Sequence, residues 1–147
     1  MTRTQMDDNE LDGMRYEVRL LIRHPTIDPD RITNTLRLKP HLSAMVGSAR
    51  TNSSGDVLPG LHKDSVWSVD FGVGKNRRFL SDIAKLIEKL EPHKVFLHEI
   101  VNGGGSINLI VSLPGDVNIG DNFHGQDMAR LCALRIDLGI EVFPDFN

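Results

Sequence analysis

Only a few residues in this sequence are of the types that carry chemistry, and their spacing decides what they can do. Gly72-Val73-Gly74-Lys75 is the nearest approach to a phosphate-binding loop. A Walker loop also needs glycine at position 69, where Val69 stands, and Ser or Thr after the lysine, where Asn76 stands. The stretch therefore reads as a turn with a solvated lysine. Gly103-Gly104-Gly105 precedes strand-like residues, so no helix N-terminus follows it to hold an anion. The histidines, His24, His41, His62, His93, His98 and His124, form no helical pair with a glutamate and no Cys/His cluster. Zinc needs three or four convergent ligands, so neither metal nor cofactor is expected, and the histidines read as scattered surface residues. Cys132 stands among Leu131, Ala133 and Leu134 and reads as a small core residue of a helix, with no neighbouring base to make it a nucleophile. Asp116 and Asp121 share one loop and read as turn aspartates.

Two features remain. Arg15, Arg19 and Arg23 recur along one face of a strand, and guanidinium groups in a row can bind carboxylates or phosphates bidentately. Glu17 among them also fits a plain solvated sheet face. The other feature is the segment 41–64, rich in Ser, Gly, Asn and Pro, which carries Arg50 with Met45, Val57, Leu58 and Leu61. It is expected to be a long loop without its own secondary structure, either a recognition loop or a tolerated insertion.

The elements that must position these residues follow from periodicity. Residues 1–13 have no apolar period and read as a flexible acidic tail before a single domain at 14–147. Tyr16, Val18, Leu20 and Ile22 alternate with Glu17, Arg19 and Arg23, which predicts a half-buried strand closed by His24-Pro25. Asp28-Pro29-Asp30 predicts a helix start, with Asp28 as N-cap, and the helix must stop before Pro40. Val66 to Phe71 predicts a second strand, ended by Gly72 and Gly74. Phe79, Ile83, Leu86, Ile87 and Leu90 form one apolar helical stripe, with Asn76 as cap and Pro92 as stop. Lys94–Val101 and Ser106–Leu113 predict two strands joined by the glycine run as a hairpin. A third helix is expected from Gly125 to Leu138, with Met128, Leu131, Cys132 and Leu138 inward and Gly139 as its left-handed cap. Ile140, Val142 and Phe146 predict a last strand, placed at an edge by Pro144. The expected fold is α+β, in the order β-α-β-α-β-β-α-β, with helices on one face of a mainly antiparallel sheet. It contains a ferredoxin-like β-α-β-β-α-β unit.

Composition narrows the class of function. The hydrophobic share of 39% suits an ordinary globular core. One cysteine rules out an intrachain disulfide and points to a reducing compartment. The polar N-terminus does not resemble a signal peptide, and no apolar run approaches the roughly 20 residues of a membrane helix. A cytoplasmic protein without membrane contact is expected. The net charge is −3, without the basic surplus of a nucleic-acid binder. Its distribution is uneven: residues 15–78 hold 11 basic and 6 acidic residues, whereas 79–147 hold 5 and 10.

Ile27-Asp28-Pro29-Asp30 followed by Ile32-Thr33, Leu36, Leu38 and Pro40 resembles the opening motif of a bacterial family known only as a domain of unknown function. Trp67 with Val69 in a strand, Leu90-Glu91-Pro92 and Gly139-Ile140 are similar to its later landmarks. Val46-Gly47-Ser48 departs from the basic residue, glycine and glutamate that the family carries after its first helix. The resemblance implies a compact α+β domain and no established activity. With no nucleophile–base pair, the residues favour a non-enzymatic protein-binding or accessory domain, and the resemblance suggests an immunity-type protein as one instance. An anion-binding or small-ligand regulator using the arginine face is the alternative. An enzyme comes third.

Overall fold

The protein is described by a computed structural model over residues 16–74, 78–115 and 118–143. The acidic tail, Arg15, Lys75, Asn76, Asp116, Pro144 and Phe146 lie outside these residues. The elements are β1 (Tyr16–His24), α1 (Pro29–Leu36), β2 (Leu42–Ala44), β3 (Ala49–Thr51), β4 (Val57–Leu61) and β5 (Ser65–Gly74), then α2 (Phe79–Leu90), a one-turn 3-10 helix (Glu91–His93), α3 (Lys94–Asn102), β6 (Ser106–Pro114), α4 (Gly125–Ala133) and β7 (Asp137–Phe143). The fold is α+β, with a five-stranded sheet in the order β2-β5-β1-β6-β7.

Alternation in β1 sets the two sides of that sheet. Tyr16, Val18, Leu20 and Ile22 are buried, and Glu17, Arg19 and Arg23 are exposed. Both neighbours are antiparallel and in register: Leu20 faces Val69 on one side and Leu109 on the other. The inward residues of β5 and β6 join those of β1 and the buried faces of the helices in one core. Where the β1–β5 ladder shifts between Glu17 and Arg19, β5 holds an extra residue, and Gly72 takes the positive φ of +90° that such a bulge needs. Trp67 is 0% exposed, and its indole N–H donates to Thr33 Oγ1 of α1 at 2.9 Å. Burying an indole leaves one donor to satisfy, and α1 supplies the acceptor.

The helix starts are differently made. Asp28 accepts from the Asp30 amide at 2.9 Å, with Pro29 in the first turn of α1. At α2 the cap comes from a distance: Asp121 Oδ2 accepts the Leu80 amide at 3.0 Å, and its other oxygen holds the Asn122 amide at 2.8 Å. Asp121 is thus a structural aspartate, holding a helix start 41 residues away in sequence.

Several expectations are corrected. Lys94–Asn102 is a helix, not a strand: its buried residues are Phe96, Leu97 and Ile100, a helical spacing, while Val95 is exposed. The helix α2 ends at Leu90, just before its expected stop at Pro92, and Pro92 occupies the first turn of the 3-10 helix that leads into α3. The glycine run is the end of α3, not a hairpin turn. The Gly105 amide donates to Ile100 and the Gly104 amide to Val101, with Gly104 at φ +91°, the paired bonds of a Schellman cap. Without that strand the ferredoxin-like unit does not form.

The sheet is mainly antiparallel with one parallel pair, because β7 runs parallel to β6 after crossing over through α4. Next, α4 ends at Ala133, five residues earlier than expected from Leu138. Arg135 takes the left-handed position at φ 58°, and the Ile136 amide closes back on Leu131. Gly139 therefore lies within β7, over Ile110. Cys132 and Met128 are exposed, and Leu131, Leu134 and Ile136 make the core contacts instead. Finally, segment 41–64 is not a structureless loop: β2 pairs with β5, and β3 with β4 forms a separate hairpin.

Polar ties bind α4 and α3 to their neighbours. His98 Nε2 lies 2.6 Å from the Ala133 carbonyl, Arg135 donates to Asn102, and Arg130 donates to Glu91. Arg31 of α1 donates from Nη2 to both carboxylate oxygens of Glu99 in α3, at 2.9 and 2.8 Å, and lies over the Phe96 ring.

Two tests follow from this packing. A Cβ at Gly105 would meet the Arg23 carbonyl at 2.7 Å and the Ile100 carbonyl at 2.8 Å, both backbone atoms. Gly105→Ala should therefore lower stability by about 2 kcal/mol in urea unfolding; an unchanged midpoint would contradict the cap. The hydrogen bonds from Arg130 hold the Glu91 carboxyl below its ordinary pKa. A depressed carboxylate stabilises the fold above its unfolded pKa and loses that contribution as pH falls through the folded value. Glu91→Gln should thus cost stability at neutral pH, and the gap to wild type should close on acidification. Both side chains are partly exposed, so added salt should narrow it too.

Candidate functional site

Two surfaces stand clear of the core: the hairpin β3–β4 and the sheet face opposite the helices. Backbone bonds and one asparagine build the hairpin. Asn52 Oδ1 accepts the amides of Ser54 at 3.0 Å and Asp56 at 2.9 Å, and Asn52 Nδ2 reaches Asp56 at 3.2 Å. Gly55 supplies the positive φ, +84°, inside the turn. Arg50, singled out in the sequence, donates to the Pro59 carbonyl across the hairpin at 3.3 Å, so part of its capacity is spent within the arm. At the base, the Gly47 amide donates to the His62 carbonyl, the His62 amide to Ser48, and the Val46 amide to Ser65 Oγ.

No residue from 49 to 61 is buried, and only Leu58 is half-buried. The arm nevertheless carries apolar side chains into solvent, with Val57 73% and Leu61 60% exposed, and Met45 and Leu42 exposed at its base. A two-stranded ribbon on its own is marginal in water. What holds this one is its turn and its anchorage, not a buried face.

The open sheet face carries the arginine row. Arg19 and Arg23 both project there and are exposed among the described residues. They are four residues apart, about 13 Å along a strand. Each has a carboxylate close by: Asp70 stands directly across the ladder from Arg19, and Arg23 Nη1 lies 3.5 Å from Asp64. Glu17 lies on the same face, and at its far side Glu141 accepts from Ser112 at 3.5 Å. The structure therefore brings Arg19 and Arg23 onto one face but surrounds them with acids, and it places Arg50 away from them on the arm. These pairings join residues tens of positions apart, so the spacing of arginines in β1 carried no signal of them. A mixed-charge face suits contact with another protein better than capture of a small anion.

The histidines are dispersed. His24 Nδ1 accepts the amides of Thr26 and Ile27 at 3.0 and 2.9 Å, and His41 Nδ1 accepts the Asp70 amide at 3.0 Å. Both rings thus serve as backbone turn and edge supports. Among the described residues no three metal-ligating side chains converge. No helix of the described residues is long and apolar enough to cross a membrane.

This assembly defines an α+β domain with one clothed and one open sheet face and a projecting hairpin. Residues 14–139 match the model of the family described as a domain of unknown function, DUF4279, and the chain belongs to that family. No curated protein and no solved structure matches the chain.

The arm's construction yields a direct test. Asn52→Ala removes the acceptor of two turn amides but touches no core residue. Amide exchange within 50–60 should accelerate markedly, while global stability should change by less than about 0.5 kcal/mol. A large global loss would show that the arm is part of the core.

Proposed function

We propose that this domain is a non-enzymatic protein-binding module and that the β3–β4 arm is its principal docking element. The observation that carries this reading is the arm itself, an ordered hairpin that leaves Val57 and Leu61 in water and buries none of its own side chains. Exposed apolar residues on a projecting, pre-ordered element gain free energy only when a partner covers them, and the ordered turn lowers the entropy lost on binding. Adjacent mixed charges on Arg19, Asp70, Arg23 and Asp64 would orient such a partner and tune its rate of association. A cytoplasmic immunity-type protein that masks a bacterial toxin is one instance of this class. A regulator binding a small anion through Arg19 and Arg23 is the weaker reading, because neighbouring carboxylates already compensate those cations.

The test compares two forms of the full chain as bait in native-host extract. One is wild type; in the other an Asn-Gly turn replaces residues 50–60. A partner retained by wild type and lost by the shortened form, with unfolding unchanged, supports the reading. Equal capture by both, or saturable binding of inorganic phosphate abolished by Arg19→Glu, would overturn it.

A further inference from the structure

Among the described residues, the outer edge of β7 from Leu138 to Val142 has no neighbouring strand. The Gly115 amide, directly after β6, donates to the Phe143 carbonyl at 2.8 Å, which fixes the alternation of this parallel ladder. Asp137, Gly139, Glu141 and Phe143 turn their backbone groups toward β6. Leu138, Ile140 and Val142 turn theirs outward, away from the sheet. The register runs unshifted from Asp137 to Phe143, and neither lysine nor proline interrupts those residues. Edges that must not pair are commonly shortened, bulged or guarded by such residues.

The side chains of this strand divide by chemistry. Ile140 and Val142 stand opposite the buried Val111 and Leu113, so they face the helix side, yet they are 54% and 60% exposed. A cleft of about 680 Å³ opens where the strand begins, lined by Ile107, Phe123, Met128 and Leu131 with Asp137 and Leu138. The other side of the strand carries Asp137 and Glu141 with Gly139 and Phe143, and no basic residue lies in β7.

From this the geometry points to β7 as an acceptor for an added strand, taken from another protein and alternating apolar residues with Lys or Arg. Its backbone would pair with Leu138, Ile140 and Val142, its apolar residues would cover Ile140 and Val142, and its cations would meet Asp137 and Glu141. A second copy of the same edge is the poorer occupant, because pairing β7 with itself brings Asp137 and Glu141 of both copies onto one face, like charge against like. This inference rests on the protein-binding reading but uses a surface separate from the arm.

The probe is a synthetic peptide of about eight residues, matching the strand length, with valine and lysine alternating. A valine–glutamate peptide is the control. With the full chain, the lysine peptide should bind at low salt and slow exchange of the Ile140 and Val142 amides. Asp137→Lys combined with Glu141→Lys should invert the peptide preference by tenfold or more. Ile140→Pro removes one outward donor at an edge position that tolerates proline; it should abolish binding while unfolding stays near wild type. Absence of any slowing at these amides, or a preference unmoved by the charge reversal, would sink the proposal. A dimeric wild type whose Ile140 and Val142 amides are protected without peptide would assign the edge to a second copy and overturn it likewise. The arm-shortened chain should bind the peptide as wild type does, so failure of the arm reading and failure of the edge reading are separable.

Discussion

The alternation of side chains along β1, fixed by ladders on both of its edges, is the constraint on which the rest of the molecule depends. Tyr16, Val18, Leu20 and Ile22 reach the core only in this register. A slip of one residue would bury Arg19 and Arg23 and expose four apolar side chains. Because β5 and β6 are read from the same template, the single choice at β1 decides which side of Trp67 and Leu109 is dry. It also decides where the helices can lie. The bulge at Gly72 lets β5 keep that template while Phe71 still packs against the core.

The second determinant is how the chain turns back after α1, α3 and α4. Three left-handed positions do this, and only Gly104 is a glycine; Arg37 and Arg135 occupy the others. A non-glycine residue there carries a steric cost of about 1 kcal/mol, offset by the closing bonds and by burial of the residue that follows. Ile136, directly after Arg135, is buried against the core. Reversal at Gly104 delivers β6 to β1, and reversal at Arg135 delivers β7 to the far edge.

Helices on one side leave the other side of the sheet to solvent, and its polarity is managed by pairing across strands. Arg23 lies 3.5 Å from Asp64 and Arg19 stands opposite Asp70, so the arginines of β1, with Glu17 among them, meet acidic residues across the sheet. Exposed apolar side chains include those of the β3–β4 arm and of the rim of β7. Neither contributes to the core, so both are free to serve recognition without a penalty in folding.

By itself the amino-acid sequence determined what local physics decides: the inward face of β1, the Asp28-Pro29 start of α1, the apolar stripe of α2, the burial of Trp67 and the edge position of β7. Each is specified by periodicity or by a cap within a few residues. Tertiary structure decided the remainder. Lys94–Asn102 is rich in β-branched and aromatic residues, and its helical burial spacing emerges only once α3 has a sheet to lie on. The hairpin within 41–64 depends on Asn52 gathering amides on its own turn and on anchorage to β5, and its composition reads as loop. The cap of α2 by Asp121 and the charge pairs of the open face join residues 41 positions or more apart. No window along the chain contains both partners, so only the folded backbone could bring them together.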